Sequence, residues 1–123
     1  MVSEDLVFRS KETTLQSNVS VIVYSLSGLD QLTEENVAAA MAVVEEASLS
    51  RVLVTNGTGR ILYDTRETGG AIGEYGLYTE IVQALLGNDA FTCTYGRGAF
   101  RSRASSPVLY RNQIIGAVYV YEY

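Results

Sequence analysis

Arg101 and Arg103 stand two residues apart in the β-prone run Ala99–Tyr110, so both side chains leave a strand on the same face. Phe100, Ala104 and Val108 take the opposite face, toward a core. Two guanidiniums side by side form a fork that can hold a carboxylate or a phosphate bidentately. Tyr95 and Tyr119 lie in other β-prone runs and can add hydroxyls from neighbouring strands. The plainer reading is a solvated strand face paired with acidic neighbours, because an exposed arginine needs no ligand. Tyr63, Tyr75 and Tyr78 flank a polar, glycine-rich stretch, with Asp64, Arg66 and Glu67 beside them. Such a stretch reads either as a lid over a site or as a plain surface connection.

Other residue types narrow the chemistry. Histidine is absent from all 123 residues, which removes imidazole ligands, Ser-His-Asp triads and histidine bases together. No candidate nucleophile has the base and orienting group that activation requires, so the expectation is a non-catalytic chain. Gly69, Gly70 and Gly73 are too irregularly spaced to cradle a phosphate. The pairs Glu34–Glu35 and Glu45–Glu46 offer carboxylates for a divalent cation. They sit in helical runs without an Asp-rich loop, however, and read better as solvated helix faces. The single cysteine, Cys93, alternates with Phe91 and Tyr95 and reads as a small core residue; it rules out an intrachain disulfide. Neither a metal nor a cofactor is expected. Haem and flavin are disfavoured by the missing histidine and by a cysteine placed in a strand.

The elements that position these groups can be read along the chain. No glycine precedes Gly28 and the only proline is Pro107, which favours a long first helix over residues 1–30. Phe8, Leu15, Ile22 and Leu29 recur every seven residues, with Val19 and Leu26 between them. That seam fits a coiled coil between two copies, or an amphipathic helix lying on its own domain. Thr33 is placed to cap a second helix, with Glu34 and Glu35 in its first turn, running to Ala47–Ser50. Arg51–Asn56 and Arg60–Thr65 form a hairpin with Asn-Gly at its turn. Leu77, Tyr78, Ile81, Val82, Leu85 and Leu86 make a third helix, closed by Gly87-Asn88. Three strands follow: Ala90–Tyr95, then Ala99–Tyr110 broken or bent at Pro107, then Gln113–Tyr121. The pattern is an α+β fold, a five-stranded antiparallel sheet with a long N-terminal helix and further helices packed on it. Residues 1–123 make one domain, with residues 31–123 as its core.

Composition excludes whole classes. The net charge is −5, with one lysine among nine basic residues, which argues against a nucleic-acid partner. No apolar run approaches the ~18 residues of a membrane span, and no signal peptide is visible. Nine tyrosines against three phenylalanines and no tryptophan suit half-buried positions with the hydroxyl turned to water or a partner.

Two stretches carry a family likeness. "RVLVTNGTGRILYDT" (51–65) resembles the opening hairpin of PAS-like Cache, or PDC, sensor domains, and "SSPVLYRNQIIGAVYVYEY" (105–123) resembles their closing hairpin. The nearest resemblance is to single-Cache extracellular domains of Gram-positive membrane-bound sensor histidine kinases. It implies a pocket between the sheet and the helix corresponding to residues 75–86. It also implies a chain set on the extracellular face of the membrane, with spans before its first helix and after its last strand. The implied function is signal input to a two-component system. A small ligand of unknown identity, anionic if the Arg101/Arg103 face holds it, or a protein partner would be sensed, with a homodimer through the N-terminal helix. No match to the amino-acid-binding signature of double-Cache receptors is present, so no ligand class carries over. The competing reading is a cytosolic roadblock- or profilin-like dimerisation or scaffold module, although those close on a C-terminal helix.

Overall fold

A computed structural model describes residues 4–42, 50–65, 70–76, 78–96 and 98–122. Helix α1 spans Glu4–Leu26. Its stripe of Leu15, Val19, Ile22 and Leu26 is buried to between 0% and 4% exposure against its own sheet. The seam is therefore consumed within the domain, and the expectation that these residues pair two copies is corrected. Leu29 packs against the same cluster, and the side chain of Phe8 lies outside the described residues. The physical reason is the 4-3-4 spacing, which serves any flat apolar surface and finds one in β4 and β5.

Helix α2, Glu34–Met41, starts as expected. The Thr33 hydroxyl accepts from the Asn36 amide at 3.1 Å, and the Thr33 amide donates to Asn36 Oδ1 at 2.8 Å. This reciprocal box satisfies two orphan donors. Val37 and Met41 are its buried residues. The expected extension to Ala47–Ser50 falls on residues 43–49, outside the described residues.

The sheet comprises β1 (Ser50–Asn56), β2 (Ile61–Asp64), β3 (Ala90–Gly96), β4 (Ala99–Tyr110) and β5 (Gln113–Glu122). Its order is β2-β1-β5-β4-β3, antiparallel throughout. The last strand thus sits at the centre, beside the first. β5 is apolar on both sides because both are covered: Val118 and Val120 join the cluster under α1 and α2, while Ala117 and Tyr119 join a second cluster on the other face. Helix α3, Thr79–Leu85, covers that second face through Ile81 and Ala84. It ends in a Schellman arrangement, with Gly87 at φ 95° and the Asn88 amide donating to Gln83 O at 2.9 Å.

Two local expectations change in detail. In the first hairpin the left-handed residue is Gly59 (φ 91°), not the glycine of Asn-Gly. Asn56 Oδ1 instead accepts from the amides of Thr58 and Arg60, each at 3.0 Å, which makes a three-residue loop with a bulge. In β4, Pro107 neither breaks nor ends the strand, and it pairs with Ala117. Strand β3 stops opposite Ser105, so β4 has no ladder on that flank at Pro107 and the missing N–H is tolerated. The register shift falls one step later, between Val108 and Leu109. The β4–β5 turn is Arg111-Asn112 as expected, with both residues at positive φ.

Candidate functional site

Alternation along three adjacent strands puts Leu53 of β1, Tyr119 of β5 and Arg103 of β4 on the face that α3 covers only in part. There they line a cavity of about 490 Å³, together with Arg51, Arg101 and Tyr121. Tyr78, the N-cap residue of α3, closes one side. Its ring stacks on Tyr119 at 5.1 Å with 16° between planes, the offset geometry that aromatic quadrupoles prefer. The volume lies in the range of small-molecule sites.

Four of the six residues singled out in the sequence meet here: Arg101, Arg103, Tyr78 and Tyr119. Tyr95 lines a neighbouring depression with Thr94, Gly96 and Arg101, at the far end of β3 and β4. Tyr63 lies on the other face, packed against the cluster beneath α1 and α2. The cause is the register shift between Val54 and Thr55, which sets Tyr63 opposite Val54 and leaves Asp64 opposite Leu53. Arg51 and Tyr121 are cavity residues that the sequence reading missed. Both continue the period-2 rows of Leu53 and Tyr119.

The electrostatics are uneven. Asp64 is fully buried and accepts from Arg51 Nε at 3.0 Å and Nη2 at 2.7 Å, a bidentate pair. Its Oδ2 also accepts from the Ala71 amide at 2.9 Å, which fastens the segment after β2. The hydrogen bond from Arg51 to Asp64 holds the Arg51 guanidinium above its ordinary value, against the opposing effect of burial. Arg103 faces Glu80 of α3 at 3.9 Å. Arg101 is exposed and makes no ion pair among the described residues. Burial, reinforced by Glu80 and opposed by Arg103, pushes the Tyr119 hydroxyl up to about 12. It therefore remains a neutral donor at any ordinary pH.

The remaining candidates have structural duties. Gly73, at φ 92°, turns the chain so that its amide donates to Ile61 O at 2.8 Å. At Gly76 a Cβ would collide with the Ile81 side chain. These glycines tie segment 70–76 to the first hairpin, Tyr75 bridging Arg60. Residues 66–69, with Arg66 and Glu67 of the expected lid, lie outside the described residues. Cys93 is half-buried and its sulfur accepts from the Ser102 hydroxyl at 3.3 Å. Glu34 and Glu35 are exposed in the first turn of α2, and Glu45 and Glu46 lie outside the described residues. Among the described residues no group of three potential ligands surrounds a metal position, and no helix is long and apolar enough to cross a membrane.

The fold of this chain is similar to that of solved extracellular ligand-binding and sensor domains. An extracellular ligand-binding receptor from Desulfohalobium retbaense matches with a TM-score of 0.63 and 18% identity, over 89% of this chain and 22% of that one. The ligand-binding domain of the Pseudomonas aeruginosa amino-acid chemoreceptor PctC, in complex with GABA, gives 0.59 and 20%, over 94% and 58%. The sensor domain of the Vibrio cholerae histidine kinase DctB gives 0.56 and 14%, over 94% and 51%. The chain thus spans between about a fifth and three-fifths of these structures. No protein-family model matches the sequence, and no curated protein matches it.

Proposed function

We propose that residues 1–123 form one extracytoplasmic signal-input domain of a membrane-bound receptor, a sensor histidine kinase in the first instance, and that the cavity under α3 binds a small anion. The observation that carries this reading is Arg101. An exposed guanidinium, free of ion pairs among the described residues, shares a cavity with Arg103 and with a neutral tyrosine hydroxyl. The fold shared with ligand-binding sensor domains of chemoreceptors and histidine kinases supports it, and a cytosolic scaffold role is not favoured. The domain itself does no chemistry in this reading. Membership among kinases of Gram-positive bacteria rests on the two hairpin sequences alone.

The route of a signal follows from packing. The ligand would pull on β4 and β5, the two strands on which α1 lies. Lys11 of α1 also pairs with Glu122 at the end of β5 at 3.4 Å, a direct contact between the first helix and the last strand. A ligand transmits only what its affinity difference between two arrangements allows. A homodimer through α1 would use the outward face, where Val21 and Tyr24 are exposed, and not the buried seam.

The test is thermal unfolding of the wild type and Arg101→Ala with small carboxylates and inorganic phosphate. A member of the panel raises the wild-type midpoint as mass action requires, and the shift disappears in Arg101→Ala. Without ligand the variant unfolds within about 0.5 kcal/mol of wild type, as expected for an exposed residue. A flat wild-type response across the panel defeats the small-anion reading.

A further inference from the structure

The charge that this cavity can accept is decided behind its lining. Arg51 is fully engaged by Asp64, both of whose oxygens are occupied. Glu80 is the second carboxylate. Its side chain is only 9% exposed, its Oε1 lies 3.9 Å from Arg103 Nε, and its Oε2 lies 3.5 Å from the Thr92 hydroxyl. The Ser105 hydroxyl donates to the Glu80 backbone carbonyl at 2.6 Å, which pins the first turn of α3 to β4 and holds Glu80 in place. Three guanidiniums and two buried carboxylates therefore leave one positive charge among the described residues, and it resides at Arg101.

We propose that Glu80 is a specificity-determining residue that restricts the cavity to monoanions. This rests on the small-anion reading above and adds the ligand's charge to it. A single carboxylate seats on Arg101, with the Tyr119 hydroxyl and the outer edge of Arg103 as further donors. A second negative charge has only Arg103 to meet. Engaging it fully would strip Glu80 of its counter-charge, and a buried carboxylate left without a partner is strongly unfavourable. The new charge would also sit close to Glu80 itself, adding like-charge repulsion. Tyr119 does not alter the count. Its hydroxyl is neutral because burial and the same Glu80 oppose its ionisation. Glu80 thus acts through Arg103 and touches no ligand.

Calorimetric titration with two probes of equal carbon number, propionate and malonate, at neutral pH and fixed ionic strength tests this. The wild type binds propionate at least about tenfold more tightly than malonate. In Glu80→Gln, which keeps shape and removes charge, malonate gains about tenfold while propionate changes only a few-fold. A residue that merely braced α3 would weaken both probes together and leave their ratio unmoved, and that result overturns the inference. So does a wild type that binds malonate as tightly as propionate, a comparison needing no variant. Binding of neither probe to the wild type overturns the charge restriction, while the small-anion reading falls only if the wider panel of carboxylates and phosphate is flat as well.

Discussion

Tyr119 shows how much one side chain can be asked to do. It is 3% exposed, closes the cavity floor against α3 and stacks on Tyr78. Its raised pKa makes a prediction with a definite sign. In the unfolded chain the hydroxyl ionises near its ordinary value of 10, but in the folded protein near about 12. Between those values the unfolded state has lost a proton that the folded state keeps, so stability falls as pH rises. Below 10 the contribution is fully present. Urea unfolding from pH 9 to about 12 is expected to show this loss in the wild type, and a smaller one in Tyr119→Phe. Identical pH profiles would refute it. Arg101 and Arg103 could be found from sequence because spacing by two is a local property of any strand. Tyr63 could not be placed, because its face depends on a register shift against β1. Glu80 carried no local signal: its importance comes from a β4 residue brought to it by the fold.

At the scale of elements, α1 is the instructive case. The same heptad serves a partner helix or a sheet, and burial of Leu15 and Leu26 to 0% exposure identifies the sheet. Leu26→Ala is expected to cost about 2–5 kcal/mol, the range for a fully buried leucine, read as a lower urea midpoint with an unchanged slope. A loss below about 0.5 kcal/mol would mean that α1 is not docked as described. Helix caps and turns were legible because they are local. Thr33, Gly87 and Arg111-Asn112 all act within a few residues of themselves. Pro107 misled because a proline's effect depends on whether its flank has a neighbour, and β3 ends before reaching it.

At the scale of the molecule, the sheet has two cores, one under α1 and α2 and one under α3. The larger takes buried residues from α1, α2, β1, β2, β4 and β5, with Phe91 of β3 packed against it. Helix α1 is therefore a wall of the domain. Deleting Glu4–Leu26 would expose Ala104, Val108, Val118 and Val120, and the shortened chain is expected to lose the cooperative urea transition of the full chain. A truncated chain that still unfolds in one sharp step would show that the smaller core suffices. In the proposed reading the same wall offers the route from ligand to output, since β4 and β5, which carry Arg101, Arg103, Tyr119 and Tyr121, also carry α1 on their reverse side.

Read from the sequence alone, this protein is an α+β domain with its helices, hairpins and caps in order, without histidine chemistry, and with two arginines on one strand face. These features depend on neighbours a few residues away, and short-range sterics and hydrogen bonding decide them. Tertiary structure alone decided that the heptad seam turns inward and that Tyr63 leaves the site. It also decided that Arg51 is neutralised by Asp64 and that Glu80 stands behind Arg103. Each of these is a pairing across the fold, set by strand register and by where α1 and α3 land on the sheet, and no local pattern encodes them.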